Sequence, residues 1–203
     1  MSVSAATAGA TTLALCLLAA PSAAGDWCAA AGLPELGLLA ASQLGVRLER
    51  LALVPDMGDR WAVVAGALLD SMGVLVLGPP RRARSGDARR LAARARERGA
   101  VVVVIGDRWS ERPDLRLRVE AGAPDAGEGS RAVADGGSGG LDAGAGYLRS
   151  RRVEVVASGR GAAARERRVS LWLPGPAGGV APVGGVVSAG SAGSPTLLAS
   201  VPK

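Results

Sequence analysis

Two runs constrain this chain more than anything else in it: VLVL at residues 74–77 and VVVVI at 101–105 are apolar at every position. Successive side chains of a strand point to opposite faces, so a strand with no polar alternation must be buried on both. That pattern belongs to a parallel sheet held between two helical layers. The segments around the two runs agree with it. GDRWAVVAGALLDSM and SGDARRLAARARERG carry apolar residues at helical spacing, the second ending at Gly99. TTLALCLLAA is compatible with a helix, and PELGLLAASQLG reads as another, with Pro34 at its start and Gly45 near its end. SVSA, WCAAA and LERLALVP read as further strands. The expectation is an α/β chain with a mainly parallel sheet flanked by helices.

The pattern changes after Asp107. LRLRVE alternates charged and aliphatic residues, so it reads as a half-exposed strand. YLRSRRVEVVASG and RERRVSLWLP, joined by RGAAA, read as an antiparallel hairpin at a sheet edge. Residues 121–146 are low in complexity and are expected to form a flexible loop. From Gly175 onward the Gly, Ala, Pro and Ser content cannot bury a core, so 1–174 is the expected domain and 175–203 a disordered tail.

Residues 2–25 hold no charged side chain, which raises the question of export. TTLALCLLAA has the length of a signal core and PSAAG offers small residues for cleavage, but no Lys or Arg precedes the run. The run is also short of the roughly 20 apolar residues that span a bilayer. It fits the strand, loop and helix of a first βα unit, so a cytoplasmic protein is expected, with export as the alternative.

Absences limit the chemistry. The chain has no His, which removes Ser-His-Asp catalysis and histidine metal sites. Cys16 and Cys28 are too few for a zinc site or a disulfide framework and read as buried small hydrophobes. No metal and no cofactor is expected. The net charge is +6, and Lys203 is the only lysine. That balance permits an anionic partner without requiring one.

Residues 4–12, SAATAGATT, have the spacing of a phosphate-binding loop. Ser4 stands at the first Gly position, Gly9 at the second and Ala10 at the Lys position, followed by Thr11 and Thr12. From Met1 to about Pro174 the order of elements resembles the RecA recombinase core. The succession QLGV, VPD, G, LL and VLVL resembles the segment leading to its Walker B strand, and RRVEVVASGRGAAARERRVSLWL resembles its closing hairpin. More closely, the chain resembles the ImuA-like, RecA-related accessory proteins encoded with ImuB in bacterial damage-induced mutagenesis cassettes. The resemblance implies a RecA-like fold and a role in supporting an error-prone polymerase assembly. Its partners would be an ImuB-like Y-family polymerase homologue and an error-prone polymerase of the replicative type.

The chain departs from that pattern where phosphate chemistry resides. Ala10 cannot neutralise phosphate, and Gly78 stands where a Walker B Asp would hold magnesium. Glu35 lies near the catalytic Glu region without aligning to it, and Gly106 or Asp107 replaces a nucleotide-sensing Gln. The resemblance therefore implies a RecA-like adaptor without hydrolysis. An atypical nucleotide-binding ATPase is the rival reading.

Two basic segments remain as candidate surfaces for DNA, with at most weak binding, or for a protein partner. Arg81, Arg82, Arg84, Arg89, Arg90, Arg94, Arg96 and Arg98 accompany only Asp87 and Glu97, while Ala88, Leu91, Ala92 and Ala95 recur at helical spacing and should face the sheet. The arginines are then expected to point outward as one row, either a binding face or a solvated one. In the hairpin, Arg149, Arg151, Arg152, Arg165, Arg167 and Arg168 accompany Trp172, which could anchor a partner or pack into the core.

Overall fold

A computed structural model describes residues 2–5, 9–78, 83–106, 109–121, 151–161, 164–175 and 178–183. The elements follow the chain as β1 (Ser2–Ala5), α1 (Ala10–Ala23), β2 (Cys28–Ala31), α2 (Leu38–Gln43), β3 (Leu51–Val54), α3 (Trp61–Leu69), β4 (Val74–Leu77), α4 (Ser85–Arg98) and β5 (Val101–Ile105). They continue as β6 (Leu115–Ala121), β7 (Arg152–Gly159), β8 (Arg167–Trp172) and β9 (Ala181–Pro182). Nine strands form one sheet in the order β3-β2-β4-β5-β1-β6-β7-β8-β9. The first six run parallel and the last three join antiparallel.

The apolar runs sit where their composition demands. On β4, Val74 and Val76 pack towards α1 and α2, while Leu75 and Leu77 pack towards α3 and α4. β5 divides the same way, with Val103 on the α1 side and Val102 and Val104 on the other. Each central strand therefore contributes to two cores. β1 lies between β5 and β6, pairing Val3 with Val103 and with Leu115, so the amino-terminal residues are central to the sheet.

β6 shows the expected half exposure. Leu115, Leu117 and Val119 face the α1 core, and Arg116, Arg118 and Glu120 take the other face by alternation. β7 and β8 continue this arrangement, since Val153 and Val155 lie in the α1 core and Leu171 packs against it. Glu154, Arg168 and Trp172 thus share the opposite face with Arg116 and Arg118.

Four expectations need correction. PELG does not open a helix: Leu36 donates to the Leu33 carbonyl in a turn, Gly37 is extended, and the helix is Leu38–Gln43 alone. LER at 48–50 forms a 3-10 turn before β3 rather than its first residues. α1 extends beyond TTLALCLLAA, through Pro21 to Ala23, where Ser22 Oγ accepts a hydrogen bond from the Arg47 amide at 3.1 Å. The segment taken for a tail returns to the sheet. Gly178 and Gly179, both at positive φ, turn the chain against α2, where the Gly179 amide donates to the Gln43 carbonyl at 3.3 Å, and Ala181–Pro182 then pairs with β8. The hairpin is consequently not the edge. The rest of that segment, 184–203, and the expected loop beyond Ala121, which ends β6, lie outside the described residues.

Candidate functional site

The phosphate-loop residues come together at the carboxyl end of β1. Ser4 is in the strand, Gly9 caps α1 at φ 93°, and Ala10, Thr11 and Thr12 form the first helical turn. The positive φ favours glycine at position 9, as a turn into a helix requires. Ala10 is buried and Thr11 exposed. The cation beside this turn comes from elsewhere in the chain: a Cβ placed on Gly9 would stand 2.5 Å from Nη2 of Arg151, just ahead of β7. Nothing in the loop's own spacing pointed to Arg151.

Gly78 follows β4 at the same end of the sheet. Its amide donates to the Ala31 carbonyl at 2.9 Å, and the Gly32 amide donates to the Val54 carbonyl at 2.9 Å, so the strand ladder runs on into both glycines. A Cβ built on Gly78 would overlap the Gly32 carbonyl oxygen and fall 2.7 Å from Cδ2 of Leu33. A Cβ on Gly32 would likewise overlap the Gly78 carbonyl oxygen. The two backbones close on each other where a Walker B side chain would begin. Glu35 is exposed in the turn after β2. Asp107 lies outside the described residues.

The arginines of α4 do not form one row. Ala88, Leu91, Ala92 and Ala95 are buried as expected. On the flank towards α3, Arg94 donates through Nε to Asp70 Oδ1 at 2.9 Å, and Arg98 Nε lies 3.2 Å from the same oxygen. Gly66 lies beside this pair, and a Cβ there would make ordinary contact with the Arg94 side chain at 3.9 Å. The Arg94 hydrogen bond, helped by the charges of Arg94 and Arg98, holds the Asp70 carboxyl below its ordinary range. Arg90 lies 3.9 Å from Asp87. The cleft between α3 and α4, about 860 Å³, is thus lined by Arg90, Arg94 and Arg98 against Asp70, Asp87 and Glu97, in equal numbers. Arg89 and Arg96 stand on the other flank, and among the described residues no acid pairs with them or with Arg84. Arg81 and Arg82 lie outside the described residues.

In the antiparallel strands, Arg168 bonds Glu120 at 3.1 Å and Glu166 at 3.0 Å and lies 3.7 Å from Glu154, with Arg118 3.7 Å from Glu166. These pairs cross β6, β7 and β8 on the face opposite the α1 core. Trp172 is half-buried on that face, opposite Arg152, and belongs to neither core. Sequence reading missed Asp70, which divides the α4 arginines, because 24 residues separate it from Arg94.

Burial raises the Cys16 thiol to about 12 and, with the Asp26 charge, the Cys28 thiol to about 11. Both are therefore protonated and unreactive at neutral pH. Among the described residues no group of three His, Cys, Asp or Glu could hold a metal, and no helix is long and apolar enough to cross a membrane.

The crystal structure of the RadB recombinase matches this fold with a TM-score of 0.58 at 13% identity, covering 88% of this chain and 89% of that one. The expected RecA-like fold is therefore present: a parallel sheet flanked by helices and extended by antiparallel strands. The uncharacterized protein Rv3395c of Mycobacterium tuberculosis is 42% identical over 102 residues, 50% of this chain and 50% of that protein. The chain thus spans about half the length of the curated relative it matches. A family model described as the MT3502 N-terminal domain matches residues 1–111, more than half of the sequence. On that match the chain belongs to the MT3502 N-terminal domain family.

Proposed function

We propose that the protein is a non-catalytic RecA-like adaptor in DNA-damage tolerance. It works in the cytoplasm, of ImuA-like type, and supports a translesion polymerase assembly through an ImuB-like Y-family homologue and an error-prone polymerase of the replicative type. The observation that carries this reading is the closure of Gly78 on Gly32, which leaves no space for a magnesium-binding carboxylate at the end of β4. The buried Ala10 methyl, at the position of the phosphate-neutralising Lys, supports it. Phosphoryl transfer depends on those two charges for most of its electrostatic stabilisation. The central place of β1 supports a chain that keeps its first residues, because cleavage near Gly25 would remove a strand with partners on both sides.

Magnesium-dependent phosphate release by the full chain, with and without single-stranded DNA, is expected to equal the protein-free rate. Co-expression with an ImuB-like protein is expected to give co-purification. Turnover lost on Thr11→Ala would overturn the adaptor.

Arg151 favours a second reading, in which a nucleotide is held by an unconventional cation. Its guanidinium stands against Gly9, and a phosphate there would meet both it and the amino-terminal amides of α1. Saturable binding of a fluorescent ATP analogue that Arg151→Ala abolishes would establish nucleotide binding, while its absence leaves the adaptor alone.

A further inference from the structure

α3 is apolar along its whole length. WAVVAGALL, residues 61–69, carries no charged residue, and a helix without a polar face is normally buried all round. Here only one side is buried: Trp61, Ala65 and Leu69 pack on the sheet, while Val63 stays 60% exposed and Ala67 is exposed beside it. This bare side forms one wall of the cleft of about 860 Å³ between α3 and α4. The other wall carries Arg90, Ala93 and Glu97 of α4, which recur at helical spacing and so share one stripe. Gly66, Ala67 and Ala93 present at most a methyl group each to the cleft, so a further helix can come close to it.

The charges around the cleft select what can cover it. Arginines and acids line it in equal numbers, so neither a polyanion nor a polycation meets a surface of uniform sign. Asp70 is already held by Arg94 and Arg98. Arg90 reaches Asp87 only at 3.9 Å, with its side chain 86% exposed, and Glu97 has no ion pair among the described residues. Arg90 and Glu97 are seven residues apart, hence within about 20° of each other around the helix and about 10 Å apart along it. A two-fold axis crossing α4 midway between them, beside Ala93, brings up an antiparallel second α4 with its Glu97 against Arg90 and its Arg90 against Glu97. One contact surface thus satisfies both charges twice, and it is this surface itself. α3 and α4 both run back along parallel strands, so the same axis lays the bare side of α3 over its own copy.

We infer that the α3–α4 face is a two-fold docking surface for a second copy of this chain, with Arg90 and Glu97 paired across the axis and Val63 covered. The 14 residues of α4 make a helix ~21 Å long, and two helices side by side are about 20 Å wide, so each copy contributes roughly 400 Å². A standard interface takes about 800 Å² from each partner, so this one gives a weak, concentration-dependent dimer. The inference does not rest on the adaptor reading: ATP turnover would overturn the adaptor and leave this face as it is.

Sedimentation velocity of the full chain from about 1 μM to about 1 mM tests it. The parent is expected to pass from monomer towards dimer within that range. R90E or E97R sets like charges against each other at both contacts and is expected to weaken the dimer about tenfold or more. An equimolar mixture of R90E and E97R restores opposite charges at both contacts, so it is expected to associate about as tightly as the parent. R90E/E97R, with the two charges exchanged within one chain, is expected to recover likewise. V63Q, on the covered side of α3, is expected to weaken the dimer without any change of charge. A parent that stays monomeric at about 1 mM, which would leave the face to another occupant, overturns the inference. So does a dimer that R90E and E97R leave unchanged, which would place the contact on another face, or a mixture no tighter than its components. Thermal melting of each variant separates lost contacts from lost folding.

Discussion

The parallel and antiparallel parts of the sheet meet at β6 and hold their faces in different ways. Strands β2, β4 and β5 are sealed between two helical layers by Ala, Val and Leu, with chain segments approaching to backbone contact at Gly32 and Gly78. Among the described residues, strands β6, β7 and β8 carry a helix on one face only, and the other is tied together by part-exposed arginine–glutamate pairs. The first part is stabilised by burial, which leaves no room for an added atom. The second relies on exposed pairs that individually contribute little. Function that needs accessible charge can reside in the second part without disturbing the first.

Gly78→Asp should break this contrast most severely. It would press a Cβ into the Gly32 carbonyl oxygen and bury a carboxylate, so restoring the magnesium ligand should cost about 4 kcal/mol or more of stability, read as a collapse of the urea midpoint. Ordinary stability in that variant would show that the two glycines part easily. Leu75→Ala, a cavity in the fully buried β4, should cost about 3 kcal/mol. Arg168→Gln on the open face should move the melting temperature by no more than about 3 °C. Equal effects of these two would erase the distinction between the halves.

Asp70 gives the finest test, because it lies in the helix-covered part yet works through exposed charge. Its carboxyl is held below the ordinary value of about 3.9, so its pairing stabilises the fold above that pH and ceases to do so as pH falls through the lowered folded-state value. Asp70→Asn should therefore melt slightly below the parent at pH 7, with the gap narrowing in salt and closing in acid. A gap that persists in acid would mean that Asp70 acts through packing.

Most of the helix-covered part was legible in the sequence, for a local reason. VLVL and VVVVI have a periodicity that only burial on both faces satisfies, and Gly99, at φ 68°, ends α4 where its position after the last charged turn indicated. PELG misled because Pro34 is as compatible with the Leu33–Leu36 turn as with a helix start. The return of 178–183 to the sheet was hidden because two glycines and a two-residue strand carry no periodic signal. Around the candidate site, the turn at Gly9 into α1 was legible from spacing. Arg151 was not, since it reaches Gly9 from just ahead of β7, far along the chain.

The sequence by itself determined the alternation of strands and helices, the burial of VLVL and VVVVI and the inward face of α4, because each follows from residues within one or two turns of one another. Tertiary structure decided the order of the strands, the meeting of Gly32 with Gly78, and which α4 arginines remain free. The last of these depends on Asp70 of the preceding helix, which neutralises one flank of α4 and leaves Arg89 and Arg96 on the other. Charge pairing across such separations is set by distances that exist only after the chain has folded, and a local pattern of residues cannot encode them.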